Sequence, residues 1–574
     1  MSSSAEAQSP SRSSARQTTW IAVLLTVVLA ALVVPPLIFL LQGSLIIAGA
    51  PNEATRWGLE NFQNVLGGRR FVGTALNTLA FAAGSAAIAL VVGWIMAWIV
   101  ERTNAPLKGL AYVTAIISLG TPYILYVSAW LLVFGKAGPV NQLYRTLTGA
   151  SDVLINIYSM PGMVVVEGFL WSPLAFLLVG ATLRNANPEL EEAARVSGAG
   201  VWATIARVTM RLSLPAIMAL SMLVFIRAIE AFEVPALVGL PGRISVLTTD
   251  IYTNMMARAP PDLGGSSALS VLMLLLVLVL LYAYARLSRH AERFATITGK
   301  GFRPSRIDLG KWKIPCALWV LIVPLSLCAP LLLMLWASLL PLYTTPSLGD
   351  FARMSLANYA AVATRDDTVS GIWNSLLVGT GSASAVAAAT FVLSWVVVRR
   401  RQAVRWLLDV IVSLPLVFPG IVLGIAVLVE FLNLRFIPVY GTLWIVIFAL
   451  GVKFLPYGMR FSYSSLLSID RQLEESARMC GAGTLRVLRS VVLPLTLPAI
   501  VATWIYVFMN AIRDLSTAVL LSGANNAIVS VVILNLWDNG EVPQLAALSI
   551  LIVAGVGVLG VIFMKLATRH NYRI

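Results

Sequence analysis

From Gln17 to Asn52 the chain carries no charged side chain, a run longer than the roughly 20 apolar residues that a helix needs to cross a bilayer. Runs of this kind recur down the sequence. They place spans at 20–42, 74–100, 109–134, 162–183, 213–237, 266–286, 314–341, 374–398, 406–432, 440–459, 493–521 and 545–566. The expected fold is an all-α membrane protein of about 12 transmembrane helices. Composition agrees: 58% of residues are hydrophobic and 12% charged, against about a quarter charged in soluble domains, and mean hydropathy is +0.85. The Ser-rich opening with Arg12 and Arg16 resembles the start of a signal peptide, but the apolar segment from Trp20 to Leu41 is too long for one. It reads as a retained first helix behind a disordered tail over 1–19.

A formal charge of +15 raises nucleic-acid binding as an alternative, and the placement of the basic residues decides against it. With the N-terminus cytoplasmic, 28 Lys and Arg fall in inside segments, 10 in outside segments, and Arg227, Lys453 and Arg513 within spans. That asymmetry is the topological signature of a membrane protein. It predicts a multi-pass membrane protein with both termini cytoplasmic and membrane lipid as its surroundings. Cys316, Cys328 and Cys480 have no metal-ligand spacing.

The chain also repeats itself. Residues 187–217 and 470–500 align without a gap at an offset of 283, with 14 of 31 positions identical. At a second offset, 297, Asn77 matches Asn374, Gly84 matches Gly381, Trp98 matches Trp395, Arg102 matches Arg399 and Pro122 matches Pro419. The first half therefore holds about 14 extra residues, placed in the outside segment 135–161. Six crossings per half is an even number, so the two six-helix repeats enter from the same side and are parallel, with a pathway expected between them. The first half spans 20–288, a basic cytoplasmic linker 289–313 with Gly299, Gly301 and Pro304 follows, and the second half spans 314–574.

The matched segments read NPELEEAARVSGAG and DRQLEESARMCGAG. Asn187 and Asp470 suit an N-cap, and Pro188 suits the first helical position. Glu191, Glu192, Glu474 and Glu475 put negative charge in the first turns, and Gly198 and Gly481 stop or bend the helix. Two short cytoplasmic helices near 187–200 and 470–483 are predicted, with Ala193, Ala194 and Ala477 small enough to admit another protein's surface. If both were merely solvated loops, recurrence at equivalent topological positions would be a coincidence.

These segments resemble the E-A-A-x3-G motif of the permease subunits of binding-protein-dependent ABC importers of the type I kind. Glu192, Ala193, Ala194 and Gly198 carry it in the first copy, and Glu475, Ala477 and Gly481 in the second, where Ser476 replaces the first alanine. The motif's continuation, I-x-L-P, is met by Val491, Leu493 and Pro494; in the first copy Val208 and Met210 fit, but Arg211 stands in place of proline. That departure predicts a differently shaped re-entry turn in the first half. Fused two-half chains with a run such as RAIEAFEVPALVGLPG look most like iron(III)-type permeases, with thiamine, aminophosphonate and polyamine permeases as relatives. The resemblance implies coupling through Glu191, Glu192, Ala193, Ala194, Gly198, Glu474, Glu475, Ala477 and Gly481. It implies as partners two copies of an ABC ATP-binding subunit and a substrate-binding protein, with ATP and Mg on the partner subunits and no cofactor on this chain.

Glu167, Arg227, Glu230, Glu233, Glu430, Lys453, Arg513 and Asp514 fall in or near spans, where an unpaired charge costs a few kcal/mol. Arg227, Glu230 and Glu233, spaced by three, are expected along one side of the fifth span as an ion-pair chain. Arg513 and Asp514 occupy the equivalent stretch of the second half. They either line a pathway, where carboxylates suit a hard cation such as iron, or pair structurally between helices. No residue set identifies a metal site.

No G-x-x-x-x-G-K-[ST] occurs: the Gly-Lys pairs at 135–136, 299–300 and 310–311 are followed by Ala137, Gly301 and Trp312. No nucleophile–base constellation is visible, and His290 and His570 lie in basic flanks, so an enzyme is not expected. The rival class is an ion-coupled secondary transporter, which also pairs two parallel halves but has no use for a duplicated cytoplasmic helix.

Overall fold

A computed structural model describes residues 12–47, 56–185, 189–291, 307–399, 402–434, 436–523 and 526–571. Asn187, Pro188, most of the linker and the first 11 residues lie outside the described residues, as do the side chains of His290 and His570. Among the described residues, nine helices are long and apolar enough to cross a membrane, and two bent helix pairs bring the number to 11. The last apolar run lies on the helix Val542–Asn571. Each expected span thus falls on a helix or a broken helix, and the sole strand pairing is two residues long, Ile46–Ile47 with Arg56–Trp57.

The spans at 109–134 and 406–432 are broken at matched prolines. Residues 109–134 fold as Lys108–Gly120 and Tyr123–Phe134 around Pro122, and 406–432 bends by 108° between Trp406–Val417 and Gly420–Asn433 at Pro419. A proline lacks the N–H that would continue the ladder, and it pushes its predecessor out of the helical region. In each half, therefore, the matched proline starts a new half-helix inside the bundle. The extra outside segment of the first half contains a helix of its own, Pro139–Thr148.

The other matched positions acquire physical roles. Asn77 donates to the Ser245 carbonyl at 3.2 Å and Asn374 to the Ala527 carbonyl at 3.0 Å; the next residues, Thr78 and Ser375, accept from the backbone N–H of Leu247 and Val529. Each half thereby ties the start of its long helix, Arg69–Arg102 or Asp366–Arg399, to a returning outer loop. Lipid supplies no hydrophobic drive between helices, so close packing must hold them. At Gly93 a methyl group would lie 2.8 Å from the Phe176 backbone nitrogen, and Gly84 and Gly381 give similarly close approaches to Val164 and Ile447.

The halves are interlocked. The first helix, Arg12–Leu45, packs on Gln402–Ser413 and Gly420–Asn433 of the second half, while Lys313–Ser338 packs on the broken helix pair of the first. The end of the linker also docks on the first half: Ile307 donates to the Arg102 carbonyl at 2.9 Å, and Asn104 donates to the Ile307 carbonyl at 3.1 Å through its backbone and to Asp308 at 2.7 Å through its side chain. Trp312 then meets Trp202 edge-on, 6.1 Å between ring centres.

Candidate functional site

The duplicated motif folds as two short helices, Glu189–Val196 and Arg471–Met479. Asp470 caps the second, accepting from the Gln472 backbone N–H at 3.0 Å. Both end at a left-handed glycine, Gly198 at φ +85° and Gly481 at φ +82°. Backbone bonds from Ala199 to Ala194 and from Ala482 to Ala477, 3.0 and 3.1 Å, close the helix end in the same way each time. Beyond, the chain returns through a wide π-type turn, Ile205–Thr209 in one half and Leu488–Val492 in the other. The two π-type turns are positionally equivalent, so Arg211 in place of proline does not move the turn itself. The difference comes later, where the first half bends by 64° between Val201–Leu214 and Ile217–Glu230.

The motif acids divide by direction. Glu192 and Glu475 are exposed, as are Ala193 and Ser476, while Ala194 and Ala477 are half-buried. Glu191 and Glu474, grouped with them from sequence as coupling residues, point into the bundle. Glu191 lies 3.3 Å from Arg102, which is only 1% exposed, and accepts from the Thr209 hydroxyl at 3.0 Å. Glu474 accepts from Arg399 at 2.7 Å and from the Trp395 indole at 3.3 Å. Arg102 and Arg399 close the long helices Arg69–Arg102 and Asp366–Arg399, so each short helix is strutted to a long helix of its half. Outward it presents apolar tips, Val196 at 90% and Met479 at 88% exposure.

Between the halves lies a cavity of about 380 Å³. The broken spans reach it with Leu119 and Tyr123 from the first half and Phe418 and Gly420 from the second. Arg227, Glu230, Glu233, Arg513 and Asp514 all line it, joined by Glu167 and Lys453. The expected ion-pair chain is only partly made. Arg227 pairs with Glu230 at 3.0 Å and with the Tyr457 hydroxyl, but the helix ends at Glu230, and Glu233 lies beyond the turn. Arg513 and Asp514 do not pair with each other. Arg513 donates to the Leu119 carbonyl at 2.7 Å and to Asn510 at 2.8 Å, a carbonyl freed where the broken span unwinds. Asp514 instead pairs with Lys453. Glu430 is buried elsewhere and does not line the cavity.

Comparison with known proteins settles the family. A family model described as the binding-protein-dependent transport system inner membrane component matches the chain twice, over residues 89–293 and 381–574. The chain belongs to that family. This permease is 24% identical over 508 residues to the ferric transport system permease protein FbpB of Actinobacillus pleuropneumoniae, covering 87% of this chain and 72% of the relative. It is 29% identical over 174 residues to the spermidine/putrescine transport system permease protein PotC of Haemophilus influenzae, covering 30% of this chain and 64% of that one. Among solved structures it matches a bacterial ABC transporter involved in the import of the acidic polysaccharide alginate, with a TM-score of 0.40 and 19% identity over 49% of this chain and 98% of the other.

The permease is thus a multi-pass membrane component of a transport system. What sequence reading missed is the cavity's aromatic lining, Tyr123, Trp171, Tyr457 and Tyr506, since aromatic residues are ordinary throughout an apolar bundle. The matched prolines were the available signal, because a helix broken within the membrane exposes backbone to whatever passes.

Proposed function

We propose that this chain forms the translocation pathway of an ATP-driven importer. Two copies of a separate ATP-binding subunit seat on Glu189–Val196 and Arg471–Met479, and a substrate-binding protein delivers a small charged substrate at the opposite face. ATP and Mg belong to the partner subunits. Both termini face the cytoplasm, and the linker between the halves runs along that face. The observation that carries the reading is the pair of short helices that each end at a left-handed glycine, expose an apolar tip outward and are strutted inward at Glu191 and Glu474. A push on either helix reaches the long helix of its half, and the central cavity lies where the halves meet. Ferric iron is the substrate proposed first, supported by the name of the relative FbpB; an amine is second, supported by PotC and by the aromatic rings around the cavity.

In vesicles reconstituted with the ATP-binding subunits and binding protein, labelled ferric iron should accumulate only while ATP is hydrolysed. Uptake that persists under vanadate and collapses with the ion gradient would transfer the chain to the secondary transporters.

A further inference from the structure

We propose that Glu167 and Glu233 form a cation-holding subsite on the first-half wall of the central cavity, where the positive charge of the substrate rests in transit. The proposal rests on the importer reading and adds to it a binding site within the membrane.

The cavity's charges are the starting point. Arg227 is matched with Glu230 at 3.0 Å, and Lys453 with Asp514 and the Thr517 hydroxyl. Arg513 is satisfied by the Leu119 carbonyl and the Asn510 side chain. Two carboxylates remain. Glu167, 3% exposed, accepts one bond, from the Trp171 indole at 2.8 Å. Glu233, 9% exposed, takes part in no ion pair among the described residues. Both line the cavity.

Burying an acid outside an ion pair costs several kcal/mol; Glu233 has the attraction of Lys453 and backbone N–H groups as partial compensation, whereas Glu167 has the Trp171 indole alone. Glutamine would fill the same space and keep the Trp171 bond at no such cost. The fold draws no evident benefit from two charges here, whereas a cation entering the cavity removes both penalties at once. Aromatic rings line the same cavity. Tyr123 and Trp171 stand 6.0 Å apart, and the Arg513 guanidinium covers Tyr123 at 5.2 Å.

The subsite is a resting place rather than a cage. Among the described residues no three His, Cys, Asp or Glu converge as a metal site, and a translocated species must bind well enough to enter and weakly enough to leave. Two sources share this chemistry. A ferric ion would meet two hard oxygen donors and complete its shell with other oxygen ligands. An organic ammonium would rest on the carboxylates and against the rings.

The purified full chain in detergent can be titrated with ferric nitrilotriacetate, putrescine and, as an anion control, methylphosphonate, reading the unfolding temperature. At least one cation probe should stabilise the wild type, and its half-saturating concentration should rise about tenfold or more in Glu167→Gln and in Glu233→Gln. Glu167→Gln should unfold at a higher temperature than the wild type when no probe is present, as the cost of burying its charge is relieved. Ala231→Trp, which fills the cavity beside the acids and leaves them in place, should abolish the response. A ferric-only response assigns the metal source, and a putrescine-only response the organic one. Stabilisation by neither cation, by methylphosphonate alone, or equally in wild type and both glutamine variants overturns the subsite. Retained capture of the ATP-binding subunits by the same preparation shows that such a failure belongs to the subsite and not to the importer reading.

Discussion

Gly198 and Gly481 occupy a backbone region that costs other L-residues about 1–2 kcal/mol, because Cβ crowds the following carbonyl. No atom stands within 4 Å of where that Cβ would lie in either case, so substitution there tests conformation free of steric collision. Gly481→Ala should weaken capture of the ATP-binding subunits measurably while leaving the amount of chain in the membrane unchanged. Gly481→Asn should do less harm, since asparagine tolerates the left-handed region. Equal loss in both variants would mean that the helix end does not set the docking geometry. The acids nearby differ in the same concrete way: Glu475 pairs with Arg471 at 3.0 Å on an open surface, whereas Glu474 is enclosed, and adjacency in sequence hides the difference.

At the scale of elements, the struts are what join the short helices to the bundle. Removing one member of a buried pair leaves the other without its counter-charge, at a cost of about 3–5 kcal/mol. Glu474→Ala should therefore lower the unfolding temperature of the detergent-solubilised chain sharply, while Glu475→Ala, which loses a surface pair worth about 0.3–0.5 kcal/mol, should leave it nearly unchanged. Similar temperatures for the two would show that the Glu474–Arg399 contact carries no stability. Most of this architecture was legible in the sequence. The spans followed from apolar length, and the duplicated Asn77 and Asn374, Gly84 and Gly381, and Arg102 and Arg399 marked polar and close-packed positions that apolar drift would not preserve. The partners of those residues were not legible. Nothing local links Arg102 to Glu191 or Arg513 to the Leu119 carbonyl, because both contacts join distant parts of the chain. The breaks at Pro122 and Pro419 were concealed by the unbroken hydrophobicity on either side, and Glu233 left its expected face because the helix carrying Arg227 stopped one turn early.

At the scale of the whole molecule, the two short helices belong to one chain but under the proposed function should serve two partner copies, and that stoichiometry can be read from cysteine chemistry. Cys480 is exposed immediately after the second docking helix, while Cys316 and Cys328 are half-buried on the helix Lys313–Ser338. A membrane-impermeant maleimide applied to the cytoplasmic face of inside-out vesicles should label Cys480 first, and assembly with the ATP-binding subunits should protect it. The offset of 283 places Ser197 at the equivalent site of the first half, also exposed, so Ser197→Cys in a Cys480→Ser background reports on the other helix. The linker makes the two helices unequal, because Trp312 leans on Trp202 beside the first helix alone, yet neither outward tip is covered: Val196 and Met479 are almost fully exposed. Protection of both positions at a ratio of two ATP-binding subunits per chain is the expected outcome. Protection of Cys480 with continued labelling at position 197 would reduce the assembly to one docked partner and remove the symmetric push on which the proposed mechanism depends.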